Sequence, residues 1–86
     1  MVKKFSLGGA DWVVKEVDAL DCMGLCDPHA HTIYIRSGQT SQAATLTFFH
    51  ELVHAILFSI GETEHSEKFV EAFGLMLMQF NKTVKS

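Results

Sequence analysis

Eighteen consecutive residues, Ala43 to Ile60, contain neither glycine nor proline. Within them Leu46, Phe49, Leu52 or Val53, Ile56, Leu57 and Ile60 recur at the spacing of one helix face. Thr40 or Ser41 places a side-chain oxygen where it can cap the start of that helix. Gly61 supplies the backbone freedom that ends it. A chain of 86 residues has length for one domain, 1–86, and the rest must pack around this helix.

The segment Gly38-Gln39-Thr40-Ser41 divides the chain. Ahead of it the pattern is short and rich in β-branched residues. Lys3 to Leu7 and Asp11 to Val17 read as strands around a Gly8-Gly9 turn, although residues 10 to 20 also tolerate a helix. Cys22 to Cys26 is a short apolar piece, and Asp27-Pro28-His29-Ala30 reads as a turn. In His31 to Arg36, Ile33 and Ile35 point to one face and Thr32, Tyr34 and Arg36 to the other. These two pieces make an antiparallel hairpin. Beyond Gly61, Thr63 or Ser66 can cap a second helix, with Glu64 and Glu67 favourable in its first turn. Phe69, Val70, Phe73, Met76, Leu77 and Phe80 line its apolar face to about Asn81. The expected class is α+β: a small antiparallel sheet of about three strands, then two helices.

The first helix carries His50-Glu51-Leu52-Val53-His54, an H-E-x-x-H. Residues four apart stack on one helix face, so the two imidazoles can converge on one tetrahedral zinc. Glu51 is one position on, beside such a metal rather than on it, where it can act as general base toward a metal-activated water. At this chain's usage of His and Glu, chance supplies about 0.02 such matches. Two His and a Glu among Phe48, Phe49, Leu52, Val53, Ala55 and Ile56 would otherwise be polar groups buried without purpose.

A catalytic zinc site needs a third protein ligand and an open position. The metzincin extension would put a His at position 60, which is Ile60. Glu62, Glu64, His65, Glu67 and Glu71 are the candidates, and the first two fall in the turn. A strictly antiparallel helix pair brings Glu71 nearer the level of His54, whereas a steep crossing favours Glu67.

With Glu67-Lys68-Phe69-Val70-Glu71-Ala72-Phe73-Gly74 following it, the H-E-x-x-H resembles the gluzincin pattern of thermolysin and of the ImmA/IrrE-type metallopeptidases of phages and prophages. The resemblance covers residues 22 to 81 and extends to small phage-encoded H-E-x-x-H proteins. It implies a minimal zincin fold and a zinc peptidase with His50, His54 and Glu67 as ligands. Glu71 becomes the acid that orients the first His. The strand with Tyr34 resembles the zincin edge strand, so a peptide or protein substrate would be added along residues 31 to 36. The chain departs from thermolysin-like enzymes in two respects. Only 12 residues separate His54 from Glu67, and there is no room for a subdomain forming the far wall of the cleft.

Net charge of −3, with six Lys and one Arg, argues against a nucleic-acid partner. No apolar run reaches 18 residues, so no membrane partner is expected. The stretch from Met1 to Gly9 has no signal-peptide core. Cys22 and Cys26, four apart on extended chain, are too distant to bridge and read as reduced thiols of a cytoplasmic protein. His29, His31, Tyr34 and Arg36 are candidate transition-state contacts. Against the peptidase stand two other readings, a catalytically inactive zinc-stabilised module binding a peptide or protein, and a domain whose zinc only staples a thin core. An intact Glu51 favours the peptidase, because neither alternative needs a base beside the metal.

Overall fold

A computed structural model describes residues 2–86; the part of the N-terminal reading that concerns Met1 lies outside them. The order of elements is β1 (Lys4–Leu7), β2 (Ala10–Val17), β3 (Gly24–Asp27), β4 (Thr32–Arg36), α1 (Ser41–Ser59) and α2 (Glu67–Thr83). The class is α+β. The sheet has four strands rather than three, in the order β1-β2-β4-β3. It is mixed rather than antiparallel, because β2 and β4 run parallel, with Val14 opposite Ile33. After β2 the chain crosses to the far edge, forms β3, and returns antiparallel as β4, with Cys26 opposite Ile33. Alternation along a strand tells which face a residue takes but not which strand lies beside it. That is why the parallel pair was not visible in the sequence.

This order corrects one expectation. The strand at 31–36 is interior, hydrogen-bonded to β2 on one side and β3 on the other, and has no edge to offer a substrate. The free edges belong to β1 and β3. Tyr34 and Arg36 alternate with Ile33 and Ile35, which are fully buried under α1. The first pair therefore sits on the opposite face of the sheet, away from both helices.

Thr40 caps α1 by accepting from the backbone N–H of Ala43 at 3.1 Å. Gly61, at φ 88°, closes its end. There the Gly61 N–H donates to the Phe58 carbonyl and the Glu62 N–H to the Leu57 carbonyl, the paired bonds that stop a helix. Ala44, Phe48, Glu51 and Ala55 form the row of α1 turned to the sheet. With Trp12, Ile33 and Ile35 the apolar members of that row make the core. Phe5 stacks on Trp12 at 6.0 Å and meets Phe48 edge-on.

Ser66 caps α2 by accepting from the Phe69 N–H. α2 packs chiefly on α1, as an outer layer. Val70 and Gly74 are its buried residues. A Cβ on Gly74 would stand 3.2 Å from the Cα and N of His50, so the two helices touch backbone to backbone there. With that row inward, the expected apolar face is only partly covered. Phe69, Phe73, Met76 and Phe80 remain 45–67% exposed, because they lie about a quarter-turn or more round the helix from Val70 and Gly74.

An Ala for Gly exchange inside a helix ordinarily stabilises by up to about 1 kcal/mol. Gly74→Ala should do the reverse and lower stability by about 1–3 kcal/mol, since the added methyl meets backbone that cannot rotate away. Urea unfolding of the two proteins, with unchanged m-values, is the measurement.

Candidate metal centre

His50 and His54 stand one turn apart on the row of α1 that faces the start of α2, their rings 5.2 Å apart. The Ser66 cap starts α2 so that Glu67 is its first residue. Its carboxylate reaches back to both rings, with Oε1 3.1 Å from His54 Nε2 and Oε2 3.4 Å from His50 Nε2. One ligand atom from each of the three residues lies within 4.8 Å of the others. Around tetrahedral zinc, ligand atoms at about 2.0–2.2 Å from the metal stand about 3.3–3.6 Å from one another. The two distances to Glu67 are close to that spacing, and the donor set of two imidazoles and a carboxylate is one that zinc takes. The helices cross so that Glu67 rather than Glu71 comes level with the two His.

Glu71 lines the same cleft, but among the described residues no hydrogen bond joins it to His50. The residue that does touch a histidine of the motif from outside the trio is His65. Its Nδ1 is 2.7 Å from Nδ1 of His54, and its Nε2 is 2.6 Å from the Glu62 carbonyl oxygen. The signal for it in the sequence was its place one residue ahead of the Ser66 cap, where a loop residue packs back on the end of α1.

Glu51 is on the sheet-facing row, 8% exposed, and points along the underside of β3. Gly24 makes that possible. A Cβ there would stand 2.5 Å from Cγ2 of Thr47, 3.0 Å from Cγ and 3.1 Å from Oε2 of Glu51. Among the described residues the Glu51 carboxylate makes no hydrogen bond, and its oxygens are not sealed from the cleft, unlike Trp12 Nε1, the buried side-chain atom without a partner. Burial pushes its pKa up to about 7, with the His50 ring opposing and the Glu67 charge adding to the rise. Burial also lowers the pKa of His54, which favours the neutral ring that can ligate a metal.

The three ligand candidates and Glu51 open on one cleft of about 500 Å³. Its walls are Met23 and Leu25 at the β3 edge, Leu46 on α1, and Leu75 on α2. Comparison with protein-family models, with curated proteins and with solved structures yields no match. The chemistry of the cleft therefore rests on its residues. Of the other sequence candidates, His29 is exposed in the β3–β4 turn, where Asp27 accepts from its backbone N–H. His31 stacks on Trp12 at 5.0 Å. Neither of them, nor Tyr34 nor Arg36, lines the cleft.

Cys22 and Cys26 are both free thiols, Cys22 exposed and Cys26 half-buried beside Glu51. Burial, and then the charges of Glu51 and Asp27, push Cys26 up to about 12 from 9.0. The folded value lies above the unfolded one, so the stability this neutral thiol contributes is complete below about pH 9 and fades as pH rises toward 12. At pH 8, iodoacetamide should modify one thiol per folded chain quickly, at Cys22, and Cys26 only after guanidinium unfolding. Mass spectrometry of the peptides distinguishes the two.

Proposed function

We propose that this chain is a zinc-dependent metallopeptidase, with His50, His54 and Glu67 holding the metal and Glu51 as general base. The observation that carries the reading is the convergence of these four side chains on one apolar-walled cleft. A buried carboxylate with no protein partner, beside a set of ligand candidates, is a group kept for chemistry rather than for packing. When bound, zinc supplies Lewis acidity to the attacking water and to the scissile carbonyl. Glu51 takes the proton from that water as its oxygen forms the new bond to the carbonyl carbon. The same carboxyl group returns the proton to the amide nitrogen as the C–N bond breaks. The peptide reaches the cleft along β3, whose free edge borders it, by adding a strand to the sheet. Met23, Leu25, Leu46 and Leu75 then favour apolar side chains on either side of the scissile bond.

One observation favours a second reading, an inactive zinc-stabilised module that binds a peptide or protein. No Tyr, Lys or Arg of the described residues lines the cleft, and the hydroxyl that does, on Thr47, already donates to Gln39 Oε1 at 3.0 Å, so no free side-chain donor outside the His-Glu set faces a developing oxyanion. Both readings require the metal.

Elemental analysis should find about one zinc per chain, and His50→Ala or His54→Ala should lose it. Glu67→Gln should weaken zinc binding far more than Glu71→Gln, as read by competition with a chromophoric chelator. A folded protein indifferent to chelator and free of metal defeats the metal reading in both forms.

Glu51→Gln separates the two. It should keep zinc, be at least as stable as wild type, and lose about 10²- to 10⁴-fold in the rate of cleaving a peptide-library substrate. Equal rates for the two proteins would exclude Glu51 as the base. No cleavage by wild type across a broad library would leave the binding module.

A further inference from the structure

We propose that His65 is a positioning residue that holds the His54 ring with its Nε2 lone pair directed at the ligand cluster. The inference rests on the metal reading above and extends it to a residue outside the cluster, since His65 is not among the three whose ligand atoms come within 4.8 Å. It follows from counting donors. The Glu62 carbonyl oxygen can only accept, so the proton in its 2.6 Å contact is on Nε2 of His65. A neutral His65 then carries a bare Nδ1. At 2.7 Å that nitrogen needs an N–H opposite, and the N–H is the one on Nδ1 of His54. His54 is left with its lone pair on Nε2, the atom 3.1 Å from Glu67 Oε1.

Two acceptors, an imidazole nitrogen and a carboxylate oxygen, thus face each other across the space where the His50 ring also arrives. A divalent cation would satisfy both. The direction of the whole chain is imposed from its far end, by a backbone carbonyl in the α1–α2 loop. Phe58, its ring 4.3 Å from that of His65, holds the His65 ring in place, and the ring of His54 meets it edge to edge, in line with the hydrogen bond. The fold thereby assigns to a loop histidine the part the gluzincin resemblance gave to an acid. That part is applied to the second His of the motif rather than the first.

The contrast that tests this is His65→Phe against His65→Asn. Phe keeps an aromatic ring on Phe58 and removes the acceptor. Asn gives up the ring and puts its carbonyl oxygen close to where Nδ1 was. Zinc and cobalt affinities are measured by chelator competition on the 86-residue chain, with far-UV circular dichroism of each metal-free variant as the check on folding. His65→Phe should bind zinc about 10- to 100-fold more weakly, and His65→Asn close to wild type. A purely structural role would give the opposite order, because the ring supplies the packing. Nitrogen-15 spectra of the zinc-loaded proteins add a direct signature. In wild type and His65→Asn, His54 should show a slowly exchanging proton on Nδ1, lost in His65→Phe. If His65→Phe does not fold, His65→Ala against His65→Asn makes the same comparison. Wild-type affinity in His65→Phe, or equal loss in both variants, overturns this inference and leaves the metal reading standing. Absence of metal binding by wild type overturns both.

Discussion

The structure depends on how closely α1 is approached from its two sides. At Gly24 the edge strand comes so near that a single methyl group would collide with Thr47 and Glu51. At Gly74 the second helix rests on the backbone of His50 itself. Side chains of ordinary size at either place would separate the layers. Burial of Glu51 depends on the first contact, and the reach of Glu67 to His50 and His54 depends on the second. Hydrophobic burial supplies the driving force through Trp12, Phe48, Ile33 and Ile35, but it is indifferent to a displacement of an ångström. These contacts are not: Gly74 meets the backbone of His50, with no rotamer to yield, and Gly24 meets the inner atoms of Thr47 and Glu51 side chains packed beneath the strand.

Much of this was legible in the sequence wherever one local rule acts alone. The helix at Ser41–Ser59, its Thr40 cap and Gly61 stop, and the alternation of Ile33 and Ile35 with Tyr34 follow from periodicity and capping. So does the stacking of His50 and His54. What could not be read needed knowledge of which elements become neighbours. The interior position of β4 depends on a crossover after β2 that leaves no periodic trace. The choice of Glu67 over Glu71 depends on a crossing angle, which the chain sets through Gly74. Six apolar residues on α2 promised one buried face. The contact at Gly74 turned Val70 inward and left Phe69, Phe73, Met76 and Phe80 outside. His65, one residue ahead of the Ser66 cap in the loop, belongs to no periodic pattern at all.

The cleft brings acids and imidazoles within a few ångströms of one another. Glu51 and Glu67 share it with the ring of His54, whose pKa burial lowers, and the nearest thiol is held protonated. In a folded domain this small, where few kcal/mol separate folded from unfolded chain, burying the Glu51 carboxyl without a hydrogen-bond partner works against stability. That burial sets Glu51 apart from the solvated acids at Glu62 and Glu64, which are exposed in the loop.

The contact at Gly74 has a mechanical side. Glu67 lies seven residues ahead of it on a continuous helix, a lever arm of about 10 Å. The two His, by contrast, are carried by a helix clamped between sheet and α2. A tilt of α2 by about 5° around Gly74 therefore shifts the Glu67 backbone by about 0.9 Å while leaving His50 and His54 where they are. The trio draws two members from a helix packed on both sides and one from the first turn of the outer helix, next to the short loop that carries His65. Ions of different radius would be met by movement of the carboxylate side alone, and anything that pulled on the exposed row of α2 would act on the same lever.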